Sequence, residues 1–133
     1  MKLVLSESDS EEARESIIGH LEGGYPVHVV DLALSESLNA IWKHARLLKD
    51  LGPEEALQAV KDLIRIWDML GVLTTERFAE EGMSIALAQG ITVYDAIYVA
   101  AARVLNATLF TADQALDKAA KGIANSRLLV RRA

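Results

Sequence analysis

The stretch from Tyr94 to Leu105 (Y-D-A-I-Y-V-A-A-A-R-V-L) has helical spacing and is apolar on nearly every face. Such a helix is stable only when neighbouring elements cover all of its sides, so it demands a layered core and cannot lie on a surface. It carries one carboxylate, Asp95, in its first turn. A β-like run, Thr108 to Thr111, follows and delivers a second carboxylate, Asp113.

The rest of the chain alternates in the same way. Ser8-Asp9-Ser10-Glu11-Glu12 marks a helix start, and the helix runs to about Leu21, where Gly23-Gly24 ends it. Pro26 opens a β-branched run, Val27 to Val30. Asp31 is placed to cap a helix from about Leu32 to Lys49, whose apolar positions Leu34, Leu38, Ile41, Trp42, Ala45 and Leu48 are expected to be buried. Further helices are expected over Pro53–Leu70, Glu76–Gln89, Thr92–Leu105 and Gln114–Lys121, with short strands at Val72-Leu73, Ala107–Thr111 and Ser126–Arg131. Strands separated by helices predict an α/β fold with a mainly parallel sheet, within a single domain over residues 1–133.

Composition narrows the function. Hydrophobic residues make up 51% of the chain, which supports a packed core. No apolar run is long enough to span a bilayer, and the N-terminus does not read as a signal peptide. The absence of Cys excludes disulfides and thiolate metal sites and fits a reducing cytoplasm. A net charge of −5 argues against bulk attraction to nucleic acid. It leaves room for a nuclease, because a bound divalent cation supplies local positive charge.

Three acids stand out, each with a plain structural explanation beside it. Thr92-Val93-Tyr94-Asp95 has capping-box spacing, so Asp95 alone reads as part of a helix cap. Asp113 alone reads equally well as the N-cap of the helix at Gln114. Glu36, on one stripe with Asn39 and Lys43, reads alone as a solvated helix residue. Together they supply what hard cations such as Mg²⁺ and Mn²⁺ take: carboxylate oxygens completed by water. Ligands in α/β sheets gather at the carboxyl ends of the strands, where Glu36 and Asp113 are expected. Lys43, His44, Arg46 and Lys49 form a basic patch beside Glu36 that reads as an RNA-backbone contact or as a soluble helix face. His20, His28 and His44 have no metal-ligand spacing.

The stretches L-A-L-S-E-S-L-N-A-I-W-K (Glu36, Asn39), T-V-Y-D-A-I-Y-V-A-A-A (Asp95) and A-T-L-F-T-A-D-Q-A-L (Thr111, Asp113) resemble PIN domains, specifically the VapC-like toxin ribonucleases. The resemblance runs from about Lys2 to the C-terminus. It implies a three-layer α/β/α fold and Mg²⁺- or Mn²⁺-dependent cleavage of RNA phosphodiesters by clustered acids. Glu36, Asp95 and Asp113 would be catalytic and metal-ligating, with Asn39 and Thr111 in support and Lys43 and Arg46 on the RNA backbone. It also implies homodimers and a VapB-like antitoxin. The alternative is a degenerate, non-catalytic PIN-like binding or dimerisation module, with Trp67, Met69 and Phe78 as interface or core.

The N-terminus departs from this pattern. The family opens with a central strand ending in an Asp, followed by small residues and a short helix. This chain begins M-K-L-V-L-S-E-S-D-S, which resembles the end of that helix, so the first central strand and its Asp are expected to be missing. Asp9 is no substitute, because no strand is expected before it. Either the start codon is assigned too late and the natural protein is longer, or this is an inactive copy. Retention of Glu36, Asp95 and Asp113 favours the first.

Overall fold

A computed structural model describes residues 3–6 and 11–129, with only the backbone described for 11–14. The elements run β1 (Leu3–Leu5), α1 (Glu11–Glu22), β2 (Val27–Val30), α2 (Leu32–Lys43), α3 (Pro53–Trp67), β3 (Gly71–Leu73), α4 (Ala79–Gln89), α5 (Val93–Val104), β4 (Thr108–Thr111), α6 (Gln114–Ala120) and β5 (Asn125–Leu128). A π-helical turn, His44–Leu48, extends α2, and a 3₁₀ turn, Thr75–Phe78, precedes α4. The five strands form one sheet in the order β3-β2-β1-β4-β5, with every pair parallel.

The centre of that sheet corrects the expectation of a missing first strand. Leu3–Leu5 is the central strand, paired with β2 on one edge (Leu3↔Val27) and β4 on the other (Leu3↔Thr108). All three residues are fully buried. A central parallel strand is covered on both faces and so shows a continuous apolar run without alternation. Three residues of that kind, followed at once by S-E-S-D-S, give too little periodicity to mark a strand. A strand therefore does precede Asp9, which itself lies outside the described residues, as do the proposed capping residues Ser8 and Ser10.

Side-chain parity sorts the core into two halves. Leu3, Leu5, Val27, Val29 and Phe110 pack on one face with Ile17 and Leu21 of α1 and Ile66 of α3. Val4, Val30 and Leu109 pack on the other with α4, α5 and α6. The three-layer α/β/α arrangement follows. Helix α5 sits where its composition demands: Ala96 through Ala102 are consecutively buried. The small residues on it permit a close approach to α4, where a Cβ on Gly82 would stand 3.0 Å from the Ile97 side chain.

Helix α2 behaves differently from its expected face. Its buried residues are Ala33 and Ser37, while Leu38, Trp42 and Leu48 are exposed. Ala33 of its first turn joins the core with Leu32 packed against it, and the helix also packs against α3, so apolar spacing was followed by burial for little of its length. Asp31 does not cap α2 through its side chain; its carboxylate accepts from the backbone N–H (3.1 Å) and hydroxyl of Thr75, tying the end of β2 to the 3₁₀ turn. Phe78 belongs to the core, Trp67 is partly buried against it, and Met69 is exposed. Among the described residues no single helix is long and apolar enough to cross a membrane.

Burial of β1 on both faces makes a stability prediction. Leu5→Ala removes a fully buried side chain from the sheet centre and should cost about 2–5 kcal/mol in urea unfolding. A cost near zero would remove Leu3–Leu5 from the core.

Candidate functional site

Because all five strands are parallel, their carboxyl ends share one rim. The chain order places β2 and β3 to one side of β1, and β4 and β5 to the other. Connections thus diverge between β1 and β4, which is where α/β sheets open a crevice. A pocket of about 280 Å³ lies at that rim. Its acidic walls are Glu36 from α2, Asp95 from the first turn of α5 and Asp113 just after β4. Ser37, Tyr98 and Thr111 complete most of the polar lining, and Ser6, the residue after β1, closes the remaining side.

The structural explanations for the acids hold together with their place in the pocket. Asp113 is the N-cap of α6, its Oδ1 accepting from the N–H of Ala115 (2.9 Å) and Leu116 (3.2 Å). Thr111 is fully buried, and its hydroxyl accepts from the Asp113 N–H at 3.1 Å, which fixes the turn. Thr92 caps α5, its hydroxyl accepting from the Asp95 N–H at 3.3 Å. Glu36 is exposed, and its Oε1 accepts from the hydroxyl of Tyr98 at 2.9 Å. Tyr98 lies one turn beyond Asp95 on α5, so one helix supplies an acid and holds a second in place.

The carboxylates feel one another. Burial and the negative charge of Asp113 push the Asp95 carboxyl above its usual range, and a hydrogen bond with Thr92 pulls it part of the way back. Burial and Glu36 likewise raise the Tyr98 hydroxyl, which keeps its proton and remains a donor.

The donors at this rim are all oxygen, the chemistry that suits Mg²⁺ or Mn²⁺. Among the described residues, however, no three His, Cys, Asp or Glu side chains meet closely enough to ligate one ion directly. Glu36 and Asp113 are held by their own hydrogen bonds. A hard cation that keeps several waters and takes one or two carboxylates fits such a spread set.

Other sequence candidates fall outside the pocket lining. Asn39, Lys43 and Arg46 are exposed on α2 and the π turn. His20 Nδ1–H donates to Ser16 O of its own helix (2.7 Å), and the ring stacks edge-on with Phe110; His44 pairs with Asp50 at 2.9 Å. Sequence reasoning did not single out Tyr98 or Ser6. Tyr98 carried a signal in its i+3 spacing from Asp95; Ser6 carried one only once β1 was known to be a strand.

Comparisons with known proteins bear on the family and the fold. A family model described as the PIN domain matches residues 1–122. The chain is 35% identical over 119 residues to Ribonuclease VapC3 of Pyrobaculum aerophilum, spanning 86% of this chain and 83% of the other. The crystal structure of PAE2754 from Pyrobaculum aerophilum superposes with a TM-score of 0.70 at 26% identity, covering 94% of this chain and 87% of that one. VapBC2 from Rickettsia felis, solved bound to a DNA fragment from their promoter, matches with a TM-score of 0.63 at 13% identity, covering 96% and 98%. At that identity the likeness is one of fold.

Two predictions follow from the contacts. Tyr98→Phe should cost about 1 kcal/mol of stability, most of it absent in a Glu36→Ala background, which lacks the acceptor; strict additivity of the two substitutions in urea unfolding would deny the contact. The raised carboxyl of Asp95 has the opposite sign. The folded state holds that proton more tightly than the unfolded chain, so the ionised group opposes folding above its folded pKa. Asp95→Asn should therefore raise the melting temperature in EDTA at pH 7. The advantage should shrink as pH falls through the raised pKa towards the ordinary value of 3.8. A variant that melts below the wild type at pH 7 would contradict this.

Proposed function

Because this chain belongs to the PIN domain family, we propose that it is a divalent-metal-dependent endoribonuclease, the toxin of a VapBC-type toxin–antitoxin pair. The observation that carries this reading is the convergence of Glu36, Asp95 and Asp113, from three separate elements, on one pocket at the carboxyl end of the sheet. The resemblance to Ribonuclease VapC3 supports RNA as the substrate.

Each residue has a part in this reading. Glu36, Asp95 and Asp113 hold the ion, Mg²⁺ or Mn²⁺, in part through water. Tyr98 holds Glu36, and Thr111 holds the turn that presents Asp113. When bound, the cation offsets the charge of a phosphodiester in an otherwise repulsive pocket and activates water for attack. Lys43 lies seven residues beyond Glu36 on the same helix, about 10 Å further along its axis, where it and Arg46 contact the RNA backbone. Asn39 supports the Glu36 turn of α2.

The partners belong to the same proposal. A VapB-like antitoxin covers the acidic pocket, and two copies associate as a homodimer in the cytoplasm. Met83 and Leu87, one turn apart on α4 and both exposed, offer an apolar surface for association.

A second reading, a non-catalytic binding module with the same fold, draws on the spread of the three carboxylates, which do not close on one point. Cleavage of a mixed-sequence RNA with Mg²⁺ or Mn²⁺ separates the two. Wild-type protein should cut, EDTA should stop it, and Asp95→Asn should lower the rate by about a hundredfold or more. Cleavage undiminished in Asp95→Asn would take Asp95 out of the mechanism, and no cleavage by the wild type with either metal would leave the binding module.

A further inference from the structure

The fourth side of the acidic pocket is built by the central strand, and the residue there is neutral. Parity places Ser6 on the pocket side of the sheet. Val4 packs in the core half formed with α5, and the residue two further along points the same way. The register continues this placement: Val4 pairs with Leu109 and Leu5 with Phe110, so Ser6 stands beside Thr111. Its backbone N–H donates to Phe110 O at 3.2 Å, which fixes it at that position. Ser6 thus lines the pocket together with Glu36, Asp95 and Asp113.

We infer that Ser6 occupies an ion-facing position of this site and, being uncharged, limits its affinity for a divalent cation. This rests on the metal-dependent reading given above. The affinity of an oxygen site for a hard cation rises with the number of charged ligands. Three carboxylates line the pocket on the α2, α5 and β4 sides, and a hydroxyl stands at the end of β1. A carboxylate there would complete the ring of charge from the central strand of the sheet.

The chain has no Cys, which permits a clean second probe. Ser6→Cys is nearly isosteric, and a thiolate facing the ion would favour the soft Cd²⁺. Titration calorimetry with MnCl₂ should show binding about tenfold or more tighter in Ser6→Asp than in the wild type. Ser6→Cys should bind CdCl₂ with an ultraviolet thiolate-to-metal band that disappears in the Ser6→Cys/Asp95→Asn double variant. Asp95→Asn alone should weaken Mn²⁺ binding. If Asp95→Asn weakens binding while Ser6→Asp titrates like the wild type and Ser6→Cys gives no such band, Ser6 does not face the ion and the inference fails alone. If Asp95→Asn leaves Mn²⁺ binding unchanged, the metal reading of the pocket fails and the inference with it. Should Ser6→Asp not fold, the Cd²⁺ band of Ser6→Cys decides.

Discussion

Leu3–Leu5 is hydrogen-bonded along both edges and covered on both faces, and the rest of the molecule is arranged by what that requires. A strand in this position must find partners for its N–H and C=O groups on either side, since each left unpaired away from water costs about 1–3 kcal/mol. β2 and β4 supply them. Both run parallel to β1, so each return must cross the sheet through a helix, and the helices cover the two faces. Parallel strands also bring every strand exit to one rim. The functional geometry is thereby a consequence of the pairing at the centre of the sheet.

Helix α5 depends on that centre and in turn defines the pocket. Its run of buried small residues lets it lie against β1 and β4 on one side and α4 on the other. The first turn then projects past the sheet, with Asp95 at the rim. One turn later, still over the rim, Tyr98 reaches Glu36 of α2. The only charged side chain in the first turn of this helix is placed where the apolar cover ends.

Capping and site-building use the same atoms here. Asp113 satisfies two N–H groups of α6 while facing the pocket, and Asp95 stands in the first turn of α5. Helix N-termini carry partial positive charge, which moderates the cost of placing carboxylates side by side. That moderation is incomplete, because burial and Asp113 still raise the Asp95 carboxyl. The residual repulsion favours a cation in the pocket.

The sequence by itself determined the α/β class and the family, and it singled out the three acids that line one pocket. Each had a local signature: the all-round apolar helix at Tyr94–Leu105, the Thr92 and Asp113 caps, and short β-branched runs between helices. Such signals are carried by neighbours within a turn or two and survive without tertiary context. Only the tertiary structure decided that Leu3–Leu5 is the central strand, because three apolar residues have no period and acquire a role only through strands paired on both sides. It also decided the fate of α2, whose Leu38 and Trp42 have core-like spacing but are exposed. Spacing shows which side chains share a helix face, and burial depends on what the fold brings against that face. Ser6 is the sharpest case: its direction follows from strand parity, which does not exist until β1 is a strand.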